Sequence, residues 1–168
     1  MTIEMLAILQ AETPEQVMIA RELIMEYATW VEFDLCFQGF EDEMRTLPGK
    51  YAPPEGRLLL ASWNGRPAGV IALRPLTDKD EGLCEMKRLY VRPEFRGHGI
   101  GRVLAERVIA DASQIGYRRM RLDSVSGKME HAIAMYRELG FRETQAYYQT
   151  PVGQTLFMEL ALEARARA

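Results

Sequence analysis

Apolar residues change their spacing several times along this chain, and each change of period marks a predicted element. Residues 5–10 read as a short strand. Thr13-Pro14-Glu15-Gln16 predicts a helix start, with Thr13 as N-cap, Pro14 at the first helical position and Gln16 closing a capping box. Val17, Ala20, Ile24, Tyr27 and Val31 follow at three- and four-residue spacing, the stripe of an amphipathic helix. A second, short helix is expected over residues 40–47, with Pro48-Gly49 ending it. Residues 58–63 and 67–73 flank Asn64-Gly65, a dipeptide that takes positive φ at both turn positions, so a tight hairpin is predicted.

Past the hairpin, a strand is expected over residues 83–91, stopping at Arg92-Pro93. Ile100, Val103, Leu104, Val108, Ala112 and Ile115 form one helical face, with Gly116 as the C-terminal cap. Residues 119–125 read as a strand. Met129, Ala132, Ile133, Tyr136 and Leu139 make another helix, ended by Gly140, and two further strands are expected over residues 141–148 and 155–160. This order of strands and helices predicts a mixed α/β (α+β) domain built on one sheet. No repeat, low-complexity tract or linker divides the chain, so residues 1–168 are expected to be one domain.

Composition narrows the partners more than the fold. An apolar fraction of 48% with 27% charged residues belongs to a globular protein rather than a disordered one. Charges interrupt every apolar run before membrane-spanning length, and the first residues lack the basic start and apolar centre of a secretory signal. Cys36 and Cys84 form no Cys-x-x-Cys pair, which suggests reduced thiols and a cytoplasmic protein. A net charge of −3 argues against nucleic acid, since phosphate binding needs a basic surface. No membrane partner is expected, no metal-ligand spacing is present, and a homodimer stays open.

The glycine-rich segment Arg96-Gly97-His98-Gly99-Ile100-Gly101-Arg102 carries the chemistry. A strand ends, a loop turns, and a long helix begins directly on glycines. Alternate glycines let the backbone approach a ligand without Cβ atoms in the way. The first amides of the helix have no internal partner, and the helix dipole adds positive character, so a pyrophosphate would suit the site. Arg96 and Arg102 could add full charges. Glycines at 97, 99 and 101 do not meet the dinucleotide spacing G-x-G-x-x-G, because Arg102 stands where its third glycine belongs.

Arg96-x-x-Gly99-x-Gly101 resembles the acyl-CoA pyrophosphate motif of the GNAT superfamily of N-acetyltransferases. The preceding residues 84–93 resemble that family's fourth strand, and residues 132–141 are similar to its helix ending in Tyr-x-x-x-Gly-Phe. One departure is Met129, where the family carries an asparagine that contacts the cofactor in many members. The resemblance implies one mostly antiparallel sheet of about seven strands flanked by about four helices. It also implies direct transfer of an acetyl group from acetyl-CoA, without a metal, to a primary amine of a small molecule or peptide. Backbone at Leu89, Tyr90 and Val91 would orient the cofactor, together with Arg96, Gly97, His98, Gly99, Ile100, Gly101 and Arg102.

Such chemistry needs a base for an ammonium, a donor for the thioester oxygen and an acid for the departing thiolate. Glu85 is the candidate base. It precedes Val91 by an even number of residues, so alternation predicts a shared face; its structural alternative is a pair with Arg88 or Arg121. Tyr136 matches the family tyrosine that protonates sulfur, and its helix stripe also suits a core aromatic. Cys84 leaves the opposite face from Glu85 and reads as a buried, inert thiol. The acceptor is expected against Tyr27, Trp30, Phe33 and Tyr147, with acidic groups at Glu32, Asp34 and Glu41 nearby. A non-catalytic acyl-CoA-binding sensor of the same fold is the alternative.

Overall fold

The computed structural model describes residues 4–31, 39–76 and 82–163. Phe33 and Cys36, with Glu32 and Asp34, lie outside the described residues. The elements are β1 (Leu6–Gln10), α1 (Pro14–Val31), α2 (Phe40–Thr46), β2 (Arg57–Trp63), β3 (Arg66–Pro75) and β4 (Leu83–Val91). They continue with α3 (Ile100–Ile115), β5 (Arg119–Val125), α4 (Glu130–Glu138), β6 (Arg142–Glu143) and β7 (Thr155–Ala161). The strands form one seven-stranded sheet in the order β1-β2-β3-β4-β5-β7-β6, antiparallel except where β4 meets β5.

Local sequence sets the ends of these elements. At the start of α1 the Gln16 amide donates to Thr13 Oγ1 at 3.2 Å, and the Thr13 amide donates back to Gln16 Oε1 at 3.1 Å. This reciprocal box satisfies amides that the helix leaves unpaired, and losing the threonine hydroxyl costs about 1 kcal/mol. Asn64 and Gly65 take φ of 51° and 80°, the pair of positive values that a two-residue hairpin with the sheet's natural twist requires.

The sheet buries both faces. On one side Leu104 and Val108 of α3 and Tyr136 of α4 pack with Leu59, Ile71, Met86 and Met120. On the other, Ala20, Leu23 and Ile24 of α1 pack with Leu58, Leu60, Val70 and Tyr90. A strand covered on both faces reads as an unbroken apolar run, which is why Leu58-Leu59-Leu60 and Val70-Ile71-Ala72-Leu73 show no alternation. Each such leucine or isoleucine contributes about 1.5–3 kcal/mol on full burial. No helix among the described residues is long and apolar enough to cross a membrane.

The structure corrects two expectations. The strand predicted over residues 141–148 shortens to Arg142–Glu143. Tyr147 and Tyr148 both turn onto Phe157, each with ring centroids 5.1 Å from it. Consecutive residues of a strand point to opposite faces, so two neighbouring tyrosines cannot both dock there from a pleated chain.

The second correction concerns β4. Val70 lies opposite Tyr90 and Ala72 opposite Lys87, so β4 uses one residue more than β3 across this stretch. The extra residue sits at Arg88, whose φ of 62° is in the left-handed region. Cys84 and Met86 before the bulge, and Leu89 and Val91 after it, all pack toward α3. Glu85 lies between Cys84 and Met86 in an alternating strand and points the other way. Glu85 and Val91 therefore occupy opposite faces, because the bulge shifts the alternation by one.

Candidate active site

Strands β4 and β5 run side by side only at Leu83/Arg119, Cys84/Met120 and Glu85/Arg121. Beyond Glu85 they part, since a bulged strand bends and twists away from its neighbour. The gap is lined by Lys87 and Leu89 of β4 and by Asp123 and Ser124 of β5. Ala132 and Tyr136 of α4 close it from one face, and Tyr27 and Trp30 of α1 from the other. The cleft thus passes through the sheet, and two reactants could meet in it from opposite sides.

The edge of β4 facing this cleft offers backbone donors. The Arg92 amide donates to Ala68 O on β3 at 2.8 Å. In an antiparallel ladder alternate residues turn their peptide groups to alternate sides. Tyr90 therefore faces β3 with Arg92, while Leu89 and Val91 present their amides to the cleft. The Tyr90 side chain also turns away, its ring edge-on to Tyr27 and its hydroxyl 3.4 Å from Glu26 Oε1. Of the three β4 residues expected at a cofactor, Leu89 and Val91 face the opening and Tyr90 does not.

The glycine loop follows directly. Gly97 and Gly99 have φ of 90° and 75°, a conformation in which a side chain is strained. Gly99 is the N-cap of α3 and supplies no side-chain bond, so the first amides of α3 point out of the helix without a capping partner. A Cβ built on either glycine would meet no protein atom within 4 Å, so the space over the loop is open. Ile100 is buried and anchors the helix start, while Gly101 lies against Val91. These features fit a pyrophosphate: open space, outward amides and the positive end of a long helix.

The charged and aromatic residues of the loop have other duties. Arg96 Nε donates to Val91 O at 2.9 Å, and its guanidinium lies 5.4 Å from the Trp30 ring centroid. Arg96 thereby ties the loop back to the end of β4. Arg102 pairs with Glu106 at 2.9 Å and Glu138 at 2.7 Å, bridging α3 to α4. The His98 ring stacks on Trp63 with centroids 4.5 Å apart, leaving its backbone as the part available to a ligand.

Tyr136 is buried beside the cleft, its ring edge-on to Phe141 at 5.7 Å. Burial, helped by Tyr27 and Asp123, pushes its hydroxyl well above the ordinary tyrosine range, so it keeps its proton at neutral pH. Core packing and a cleft-facing position coexist in this one side chain. Where the family has asparagine, Met129 lines the cleft and its Sδ accepts from Ser124 Oγ at 3.1 Å. A thioether has no N–H to donate, so an asparagine-like contact is lost.

Glu85 sits in a closed setting. It is 1% exposed, Arg74 Nε donates to its Oε1 at 2.9 Å, and the Tyr147 hydroxyl donates to its Oε2 at 2.6 Å. Its arginine partner is Arg74, not Arg88 or Arg121, because β3 lies against β4 while Arg88 is drawn to Glu43 and Arg121 to Glu159. Tyr27 and Trp30 line the cleft, and burial raises the Tyr27 hydroxyl to about 12. Tyr147 reaches this region through its hydrogen bond to Glu85. Cys84 is fully buried, and burial holds its thiol well above the ordinary range.

The sequence reading missed Lys87, Asp123 and Ser124 at the cleft. The available signal was polar residues two apart on strands that also carry buried apolar positions: Glu85 and Lys87 on β4, Arg121 and Asp123 on β5, with Ser124 following. Burial holds the Lys87 ammonium below the ordinary lysine range, against the pull of Glu85. Burial likewise raises the Asp123 carboxyl, against the attraction of Lys87.

Known proteins share this fold. The Acetyltransferase (GNAT) family profile matches residues 19–141. An uncharacterized N-acetyltransferase of Schizosaccharomyces pombe is 34% identical over 158 residues, covering 94% of this chain and 95% of the relative. An acetyltransferase of the GNAT family from Staphylococcus aureus superposes with a TM-score of 0.75 at 20% identity, covering 95% of this chain and 100% of that one. A Salmonella typhimurium protein solved with its cofactor acetyl-CoA has a TM-score of 0.66 at 21% identity over 96% of both chains. With its glycine loop, parted strands and cleft tyrosine in one continuous match, the chain belongs to the acetyltransferase (GNAT) family.

Proposed function

We propose that this protein transfers an acetyl group from acetyl-CoA directly to a primary amine of a small molecule or peptide. The observation that carries the reading is the cleft between β4 and β5, lined by Tyr136 and by Trp30, whose ring meets Arg96 of the glycine loop that leads into the uncapped start of α3. The bound acetyl-CoA of the Salmonella relative supports the choice of donor.

Acetyl-CoA would supply an activated thioester. The amides at the start of α3 would bind its pyrophosphate, with Gly97 and Gly99 keeping side chains out of the way. The Leu89 and Val91 amides would orient the chain that follows and offer an N–H to the carbonyl oxygen as negative charge develops there. Tyr136 would hold a proton for the departing sulfur, a role suited to a hydroxyl that burial keeps neutral. Tyr27 and Trp30 would form the acceptor wall.

The test is release of free thiol from acetyl-CoA by the full chain against a panel of primary amines. The expected result is thiol release that depends on the amine and saturates with acetyl-CoA. Tight binding of acetyl-CoA with no amine-dependent release would instead identify a non-catalytic binding module.

A further inference from the structure

Two carboxylates lie near the cleft, and they differ in access. Glu85 is sealed, with one oxygen on Arg74 and the other on Tyr147. Asp123 stands two residues past the last β4/β5 pair, where the strands have already parted, and it lines the cleft. The structure assigns to Asp123, on the basis of the acetyl-transfer reading above, the role of receiving the acceptor's ammonium group and taking its proton before transfer.

The surrounding charges explain why this carboxylate suits a cation. Arg88 meets Glu43, Arg121 meets Glu159 and Arg74 meets Glu85, and Lys87, which lines the cleft beside Asp123, lies 3.9 Å from Glu85 Oε1, so each of these cations has an acid other than Asp123. The hydrogen bond to Asp123 Oδ2 comes from a neutral hydroxyl, that of Tyr148, at 2.9 Å. A carboxylate accepts several bonds, so one hydroxyl does not exhaust it. Tyr148 is itself held by edge-on packing against Tyr147 and Phe157, which positions its hydroxyl at Asp123 Oδ2.

From β4, Glu85, Lys87 and Arg88 bear on Asp123. The hydroxyls of Tyr27 on α1, Tyr136 on α4 and Tyr147 beside β7 are close enough to feel its charge. Burial raises the Asp123 carboxyl above its ordinary range, and Lys87 and the Tyr148 hydrogen bond work against that rise. A raised carboxyl is a stronger base, better matched to an ammonium near neutral pH.

The proton count closes. One ammonium N–H bond breaks and its proton forms an O–H bond on Asp123, leaving the electron pair on nitrogen. That pair forms the bond to the carbonyl carbon, and the carbon–sulfur pair leaves with sulfur, which takes the Tyr136 proton. A second proton lost from nitrogen returns to Tyr136 through solvent, and Asp123 releases its own to water. The balance is one amide, one thiol and one proton.

The experiment compares acceptors that do and do not need a base. Full-length wild type and Asp123→Asn are assayed for enzyme-dependent thiol release near neutral pH. One acceptor is the fastest of methylamine, tyramine and spermidine, all ammonium ions there; the other is hydroxylamine, which is already neutral. Asp123→Asn should lose about a hundredfold or more in kcat/KM with the ammonium acceptor and stay within about threefold of wild type with hydroxylamine. Equal losses with both acceptors, or no loss with either, would overturn the assignment. Wild type that releases no thiol with any acceptor would overturn acetyl transfer itself, a different failure. If Asp123→Asn does not fold, or hydroxylamine is refused, Tyr148→Phe carries the test. It keeps the ring and removes the hydrogen bond that lowers the Asp123 carboxyl, so the acid limb of the kcat/KM profile should move to higher pH. An unmoved limb would overturn the assignment.

Discussion

Arg88 and Glu43, 45 positions apart in the chain, meet in a two-bond pair at 2.9 and 3.0 Å at the β4 bulge. Arg88 is 4% exposed and carries a φ of 62°, a strained conformation for a residue with a side chain. The pair from α2 holds that bulge in place. The bulge in turn bends β4 from β5 and turns Leu89 and Val91 toward α3. A surface-helix glutamate thus supports the cleft without lining it.

Glu43→Ala is expected to destabilise the protein by about 3 kcal/mol, because it removes the carboxylate from a buried guanidinium. Burial acts to raise the Glu43 carboxyl, but the hydrogen bonds and charge of Arg88 outweigh it, and the net shift is downward. A depressed folded-state carboxyl stabilises above its unfolded value and loses that contribution as pH falls through the folded one. Wild type should therefore lose stability below about pH 4, and Glu43→Ala should lose less over the same window. Urea denaturation between neutral and acid pH measures both, and equal acid sensitivity would contradict the linkage.

Gly99→Ala should abolish most acetyl-CoA binding while the protein stays folded. The added Cβ meets no protein atom but enters the open space over the loop, and φ of 75° adds about 1–2 kcal/mol of strain. Calorimetric titration should show affinity weakened by more than about tenfold, with a modest fall in melting temperature. Wild-type affinity in the folded variant would move the cofactor site elsewhere.

Tyr136→Phe should cut kcat by about a hundredfold or more, with acetyl-CoA affinity nearly unchanged. Phenylalanine keeps the ring against Phe141 and removes only the hydroxyl. A donor to departing sulfur matters in the transition state rather than in ground-state binding. Lower thermal stability with wild-type turnover, once chemistry is shown to be rate-limiting, would leave Tyr136 as a core aromatic alone.

Glu85→Gln should act on stability before chemistry. Glutamine can still accept from Tyr147 but gives up the charge facing Arg74, a loss of about 1–3 kcal/mol. The rate ratio between ammonium acceptors and hydroxylamine should match wild type. A selective loss with ammonium acceptors would restore Glu85 as the base.

Much of the fold was legible because its signals are local. The Thr13/Gln16 box, the Asn64-Gly65 turn, the stripe of α3 and the glycines at 97 and 99 each act within a few residues. The predicted 141–148 strand failed for a non-local reason. Its tyrosines and their β propensity read as extended chain, yet Phe157, Glu85 and Asp123 offer docking points on one side of the sheet.

By itself the sequence determined the element order, the anion-ready start of α3 and the presence of Tyr136 on a helix stripe, since capping, turn and periodicity energies depend on near neighbours. Tertiary structure decided which carboxylate meets the cleft. The bulge at Arg88 lies in the register with β3 and is tied to Glu43 of α2, and one inserted residue reverses every later face of the strand. Counting along β4 therefore put Glu85 with Val91. The folded chain instead seals Glu85 behind Arg74 and Tyr147, and opens Asp123 where β5 leaves β4.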